Sequence, residues 1–322
     1  MRYVIICGLF FISVNAFSQL HFVRQWDIHY GTLNHEFYLR FTQTLDGGFM
    51  VGGPVQAGIG GDKTEPRRDV DTFYLDYWVV KMDAAGNKQW DKTFGTNYSD
   101  YLSGIIGTAD GGSLLTGNST GIASGDRTEN GKGGYDYWIV KVDAQGNKQW
   151  DKMYGGPSDD LTYIYPIQTR DGGYLIGGRS ESGMGGDKTE PNRGIFDDYW
   201  VIKIDSSGNK QWDKTLGGAH DENIKCLLQT KDGGYIIGGN SRSDVGGDKS
   251  QPNWDTTVLK WEDWWIVKLD SAGNKQWDKT YGTAKADGFA SIVELSNGNY
   301  VLGGGEHKAQ QEIKLLTVVG FG

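Results

Sequence analysis

The chain has 322 residues, 37% of them hydrophobic and 13% aromatic, with 50 glycines and a net charge of -9. An acidic protein repels phosphate backbones, which argues against nucleic acid as its main partner. Two cysteines, Cys7 and Cys226, are too few for a disulfide framework, so stability must come from a large buried core.

Arg2 precedes a long apolar run, "YVIICGLFFISVNAF", followed by small and polar residues. That is the layout of a secretory signal peptide, and the run is short for a membrane span. Cleavage is expected after Ser18, with a second plausible point after Ala16. The reading is therefore a signal peptide at 1–18 and one domain at 19–322, exported and without a transmembrane segment of its own. Losing Arg2 takes the net charge from -9 to -10, and only Cys226 remains, expected to be buried and inert.

"GNKQWDK" then occurs four times, starting at Gly86, Gly146, Gly208 and Gly273. The Gln-Trp pairs place Trp26, Trp90, Trp150, Trp212 and Trp277 at separations of 64, 60, 62 and 65 residues. Between them lie "LDGGFMVGG", "ADGGSLLTG", "RDGGYLIGG", "KDGGYIIGG" and "SNGNYVLGG", each a tight Asp-Gly or Asn-Gly turn between two strands. From the second tryptophan onward, "DYWVVKMDAAGN" or a variant precedes it. That phrase reads as a β-branched and aromatic strand ending in an Asp-bonded Gly-Asn turn. Each unit thus predicts four strands, A to D, with A and B flanking the Asp-Gly turn, then C ("YWVVKMD") and D ("NKQWDKTFG").

A period near 60 with four strands per unit predicts a β-propeller. The first segment, "LHFVRQWDIHY", is a D strand without A, B or C, while the last unit supplies A, B and C alone. The expectation is all-β: a single five-bladed β-propeller of four-stranded antiparallel blades, the last closed by the N-terminal strand. The repeated Trp then packs the outer strand against the next blade.

The order "LGGAHDENIKCLLQTKDGGYIIGG…DWWIVKLDSAGNKQWDKTYG" resembles the β-propeller repeat of secreted bacterial proteins, especially the form abundant in Bacteroidota. It is also similar to the tryptophan-docking motif of quinoprotein propellers, with one residue fewer between Asp and Gly. The resemblance implies architecture and export. It brings no cofactor ligands, and the sorting domain that ends many relatives is not seen, which implies a periplasmic place or the periplasmic face of the outer membrane, with an extracellular one as alternative.

Chemical signatures are sparse. The histidines lack zinc spacing. "GNSTG" at Gly117–Gly121 matches a nucleophile elbow without the strand–turn–helix it needs. An acid lies ten residues after each Gln-Trp tryptophan: Glu36, Asp100, Asp160, Glu222 and Asp287. These could ring a channel mouth, hold calcium or serve glycoside cleavage, or each could clamp the backbone amides of its own connection. The repeated "GGDK" loops offer Asp62, Asp126, Asp187 and Asp248 as calcium ligands, or as turn caps whose neighbouring Lys or Arg stays solvated.

Departures from the repeat are more informative. Trp254, Trp261 and Trp264 fall in the B–C connection of the fourth unit, and the first unit's long connection carries Arg67, Arg68, Phe73 and Tyr74. The fifth unit has a short one containing His307. In a closed ring these two tall loops would flank a cleft over the fifth blade. The reading is a non-catalytic scaffold binding another envelope protein, for example as an accessory subunit of an outer-membrane transport or secretion complex. The alternatives are a glycan-binding or adhesion module and a glycoside-cleaving enzyme using the acids.

Overall fold

The computed structural model describes residues 26–69, 73–257, 260–306 and 312–318. The expected signal peptide lies outside them. Every regular element among the described residues is a strand, and no helix is long and apolar enough to cross a membrane.

The strands form repeated antiparallel sheets. In the first the order is β1 (Arg40–Gln43), β2 (Phe49–Val55), β3 (Asp76–Met82), β4 (Lys88–Phe94). The second repeats it with β5 (Asp100–Gly107), β6 (Ser113–Ser119), β7 (Asp136–Val142) and β8 (Lys148–Tyr154). In the third, strand A is broken into β9 (Asp160–Leu161) and β10 (Ile167–Gln168), both pairing β11 (Tyr174–Ser180), which continues to β12 (Asp198–Ile204) and β13 (Lys210–Leu216). The fourth holds β14 (Glu222–Gln229), β15 (Tyr235–Ser241), β16 (Asp263–Leu269) and β17 (Lys275–Tyr281). The fifth has β18 (Asp287–Glu294), β19 (Tyr300–Glu306) and β20 (Glu312–Val318).

The recurring phrases hold one another. Strand C is buried along its whole length in the first four sheets. Its lysine reaches back to the Asp-Gly turn, with Lys81 Nζ 2.8 Å from Asp46 Oδ2 and Lys141 Nζ 2.8 Å from Asp110 Oδ2. The Asp of "QWDK" accepts the indole N–H of strand C, Trp78 to Asp91 at 2.9 Å and Trp265 to Asp278 at 3.0 Å. Gly111 adopts φ +84° in the turn between β5 and β6, a conformation glycine enters at little cost.

Hydrophobic clusters join the sheets in chain order. Tyr77 and Val79 meet Leu102 and Trp138; Tyr137 and Ile139 meet Tyr174 and Trp200; Tyr199 and Val201 meet Ile224 and Trp265; Trp264 and Ile266 meet Phe289 and Leu302. The outer tryptophans sit on the next sheet as expected, half-buried. Trp90 donates its indole N–H to Ala144 O at 3.1 Å, and Trp212 lies edge-on to Tyr235.

Among the described residues, the N-terminal segment makes the same contacts without forming a ladder. Residues 20–25 of the expected strand lie outside the described residues, and 26–30 belong to no strand. Yet Trp26 donates to Ala84 O at 3.2 Å and packs edge-on against Phe49. Gly31 N donates to Asp62 at 3.0 Å, as Gly95 N does to Asp126 at 3.1 Å.

Candidate functional site

In a four-stranded antiparallel unit the B–C and D–A connections emerge at the same end of the sheet. The acids, the "GGDK" loops and the long aromatic loops therefore share one end of the molecule.

The five periodic acids act as turn clamps. Asp100 Oδ2 accepts Thr96 N at 2.7 Å, Asp160 Oδ2 accepts Gly156 N at 2.6 Å, Glu222 Oε2 accepts Gly218 N at 3.0 Å and Asp287 Oδ2 accepts Thr283 N at 2.6 Å. Glu36 holds Thr32 N in the same way. Asp100, Asp160, Glu222 and Asp287 are buried completely, so none presents a carboxylate to a channel. Among the described residues, no three His, Cys, Asp or Glu side chains group as metal ligands would.

Three of these clamps, Asp100, Asp160 and Glu222, belong to buried charge clusters. The acid faces the Asp that opens strand C of the preceding sheet, Asp76 with Asp100, Asp136 with Asp160 and Asp198 with Glu222. Burial pushes Asp100 up to about 8, and Asp76 and Asp136 up to about 7. The "GGDK" cation completes the group. The expectation that it stays solvated is corrected: Lys63, Arg127, Lys188 and Lys249 are all buried. Lys188 lies in the field of Asp160 and Asp198, and burial lowers it to about 8. Such values would suit acid–base chemistry, but catalysis also needs a substrate within reach, and these carboxyls meet no solvent. Two carboxyls sharing one cation inside the wall of a sheet fix the connections in place.

The remaining expected residues divide. Phe73 is 79% exposed, Trp254 60% and Trp261 43%. Tyr74 is half-buried beside Tyr98, and Arg67 pairs with Asp69 at 3.2 Å. His307 lies outside the described residues. Arg68 is corrected to a link between sheets: it bonds Asp126 of the second sheet's loop at 2.7 Å, Glu65 at 3.1 Å and Thr93 O at 2.9 Å. Arg193 repeats this with Asp248, at 2.7 Å, and Glu190. Trp264 is also corrected. It is the second residue of β16, fully buried edge-on against Phe289, in the place that Tyr77, Tyr137 and Tyr199 fill in the earlier sheets.

Trp254 gains meaning from this register. Arg68 N, Lys132 N, Arg193 N and Trp254 N each donate to the first Asp of the following strand C. Trp254 thus stands where the first and third units place an inter-sheet arginine and the second places Lys132, and the fifth unit contains no "GGDK" phrase for such a cation to reach.

One site went unread in the sequence. A cavity of about 620 Å³ opens among the inner strands of the first three sheets, walled by Tyr38, Tyr101, Tyr135 and Tyr163 with Arg40 and Asp159. A signal for it existed. Asp160 and Asp171 are eleven residues apart where Asp100 and Asp110 are ten apart, and Pro166, which cannot donate to a ladder, falls in the gap between β9 and β10.

No family model matches the chain. Over 250 residues, 73% of its length, it is 24% identical to the regulatory protein FlaEY of Caulobacter vibrioides, of which it spans 25%. Among solved structures it is similar to a protein of unknown function from Bacteroides caccae, with TM-score 0.40, 9% identity, and 81% of this chain and 68% of that chain covered. Sqt1 from Chaetomium thermophilum is similar at TM-score 0.39 and 12% identity, covering 82% of this chain and 65% of that one.

Proposed function

We propose that the chain is a closed five-bladed β-propeller of the cell envelope that acts as a non-catalytic scaffold for another envelope protein. Closure is supported by Trp26 and Gly31, which dock on the first sheet as the outer strand of each sheet docks on the next. Among the described residues the fifth sheet has three strands and no outer one, and the N-terminal segment, with the outer-strand phrase "RQWD", would supply it. Export rests on the signal-like first 18 residues.

The observation that carries the binding reading is the exposure of Trp254 and Trp261 on one loop, Trp254 standing where the first and third units carry the half-buried inter-sheet arginines Arg68 and Arg193. Large exposed aromatics are anchors of protein interfaces. Phe73 on the first unit's loop would face them across the fifth blade of a closed ring. The buried state of the periodic acids speaks against the glycosidase alternative.

The test is affinity purification from the native envelope with wild type and a Trp254→Ala/Trp261→Ala variant. The wild type should retain a stoichiometric partner that rebinds when purified, and the variant should lose it. Stability should change by less than about 1 kcal/mol, because both side chains are exposed and belong to none of the hydrophobic clusters that join the sheets. A large loss of stability would assign them to the fold. Glycoside turnover that vanishes in Asp100→Asn or Asp160→Asn would replace the scaffold reading with an enzyme.

A further inference from the structure

We propose that the tyrosine-walled cavity of the first three sheets is a binding site for a neutral oligosaccharide of about two or three sugar units, separate from the Trp254/Trp261 loop. The cavity volume, about 620 Å³, lies mid-range for small-molecule sites, which run from about 300 to 1,000 Å³.

Several departures from the repeat converge on this one place. The third sheet carries the extra residue, and the stretch between β9 and β10, "TYIYP", leaves Tyr163 and Tyr165 exposed. The second sheet makes room for it: a side chain at Gly104 would lie 2.8 Å from Ile164 O and 2.9 Å from Pro166 Cδ. Asn118 clamps the bulge, accepting from Thr162 N at 2.7 Å and donating to Thr162 O at 3.0 Å. From the first sheet, Arg40 donates to Ser103 O at 2.6 Å and lies over the ring of Tyr165.

Tyr38 is the sharpest departure. Two residues after their periodic acid, other units bury Leu102, Ile224 and Phe289. Tyr38 instead is 75% exposed, with φ +44°. A bulky residue held there is uncommon, and such strain gathers at ligand sites.

The chemistry of the walls selects the ligand. Tyrosine rings offer apolar faces with hydroxyl tips, matching a sugar ring, which has C–H faces and a hydroxyl rim. A neutral ligand is favoured over an anion because Asp159 shares the wall with Arg40, whose Nε already donates to Ser103 O at 2.6 Å. A quaternary ammonium is disfavoured because guanidiniums already lie over two tyrosines, Arg40 on Tyr165 and Arg179 on Tyr163. Asp159 holds Tyr135 N with Oδ1 at 2.8 Å, leaving Oδ2 to accept from a ligand hydroxyl.

The experiment is titration calorimetry with maltotriose, cellotriose, N-acetylchitotriose and mannotriose, alongside choline and a proline-rich peptide as competitor classes. At least one trisaccharide should bind 1:1. Tyr163→Ala and Tyr38→Ala should each weaken it about tenfold or more, the loss of one stacking ring. Tyr163→Phe should stay within about threefold, because the ring is kept. Tyr38, exposed and strained, can be truncated without unfolding, so its variant stands if Tyr163→Ala does not fold. The Trp254→Ala/Trp261→Ala variant should bind the sugar normally, which separates this site from the proposed protein interface. No binding by any trisaccharide, binding indifferent to both tyrosine truncations, or binding of choline or the peptide in their place would overturn the proposal.

Discussion

Replacing Gly155 by alanine tests how the buried clusters are built. Gly155 directly follows β8, and a methyl group there would overlap Asp136 Oδ1 outright and lie 2.9 Å from Asp136 Cβ. Gly95, Gly217 and Gly282 stand in the same relation to Asp76, Asp198 and Asp263. Asp136 is fully buried, and its Oδ2 accepts Lys132 N at 2.5 Å. To admit the methyl it must swing off its rotamer, at about 0.5–1.5 kcal/mol, and give up the part-buried hydrogen bond from Lys132 N to its carboxylate, at about 1–3 kcal/mol. The expected loss is about 2–4 kcal/mol. Gly111 is the control: φ is +84° but nothing lies within 4 Å of a side chain there, so Gly111→Ala should cost only about 1–2 kcal/mol of left-handed strain. Urea unfolding followed by tryptophan fluorescence reads both. In an Asp136→Ala background most of the overlap is gone, so Gly155→Ala should cost at least about 1 kcal/mol less there. Equal losses at the two glycines, or strict additivity with Asp136→Ala, would refute the reasoning.

Two further outcomes follow from the buried groups. Burial raises Asp76, Asp100 and Asp136 above the ordinary carboxylate range, so the folded chain binds more protons than the unfolded one between about pH 4 and 8. Stability must then fall as pH rises through that window. Lys63, Lys188 and Lys249, lowered to about 8 by burial, reverse the sign between about 8 and 10.5, where the unfolded chain holds more protons. Melting temperature should therefore drop from about pH 5 to a minimum near 8, and a flat or rising profile over that range contradicts the assignment. Burial also pushes the Cys226 thiol up to about 12, so Ellman's reagent should react with it at pH 8 only after unfolding; prompt labelling of the folded protein would show an accessible thiolate.

Much of the fold was legible because its determinants are local. Asp-Gly turns, the strand phrases and their period name the elements one by one, and the observed strands fall on them. Trp264 was misplaced because "EDWW" was read as loop, when "DWW" is the "DYW" of the other units with an indole for a phenol. Arg68 was misassigned because its partner, Asp126, belongs to the following repeat. The solvated reading of Lys188 failed because the acids that surround it, Asp160 and Asp198, come from separate connections.

The sequence by itself determined the strands, their turns and the repetition of one sheet, since backbone preferences and side-chain alternation act within a few residues. Tertiary structure decided which charges are buried and where a cavity opens. Tyr38, Tyr101, Tyr135 and Tyr163 stand far apart in the chain and meet only when neighbouring sheets stack, because what a side chain touches across a sheet interface depends on the packing of both sheets together.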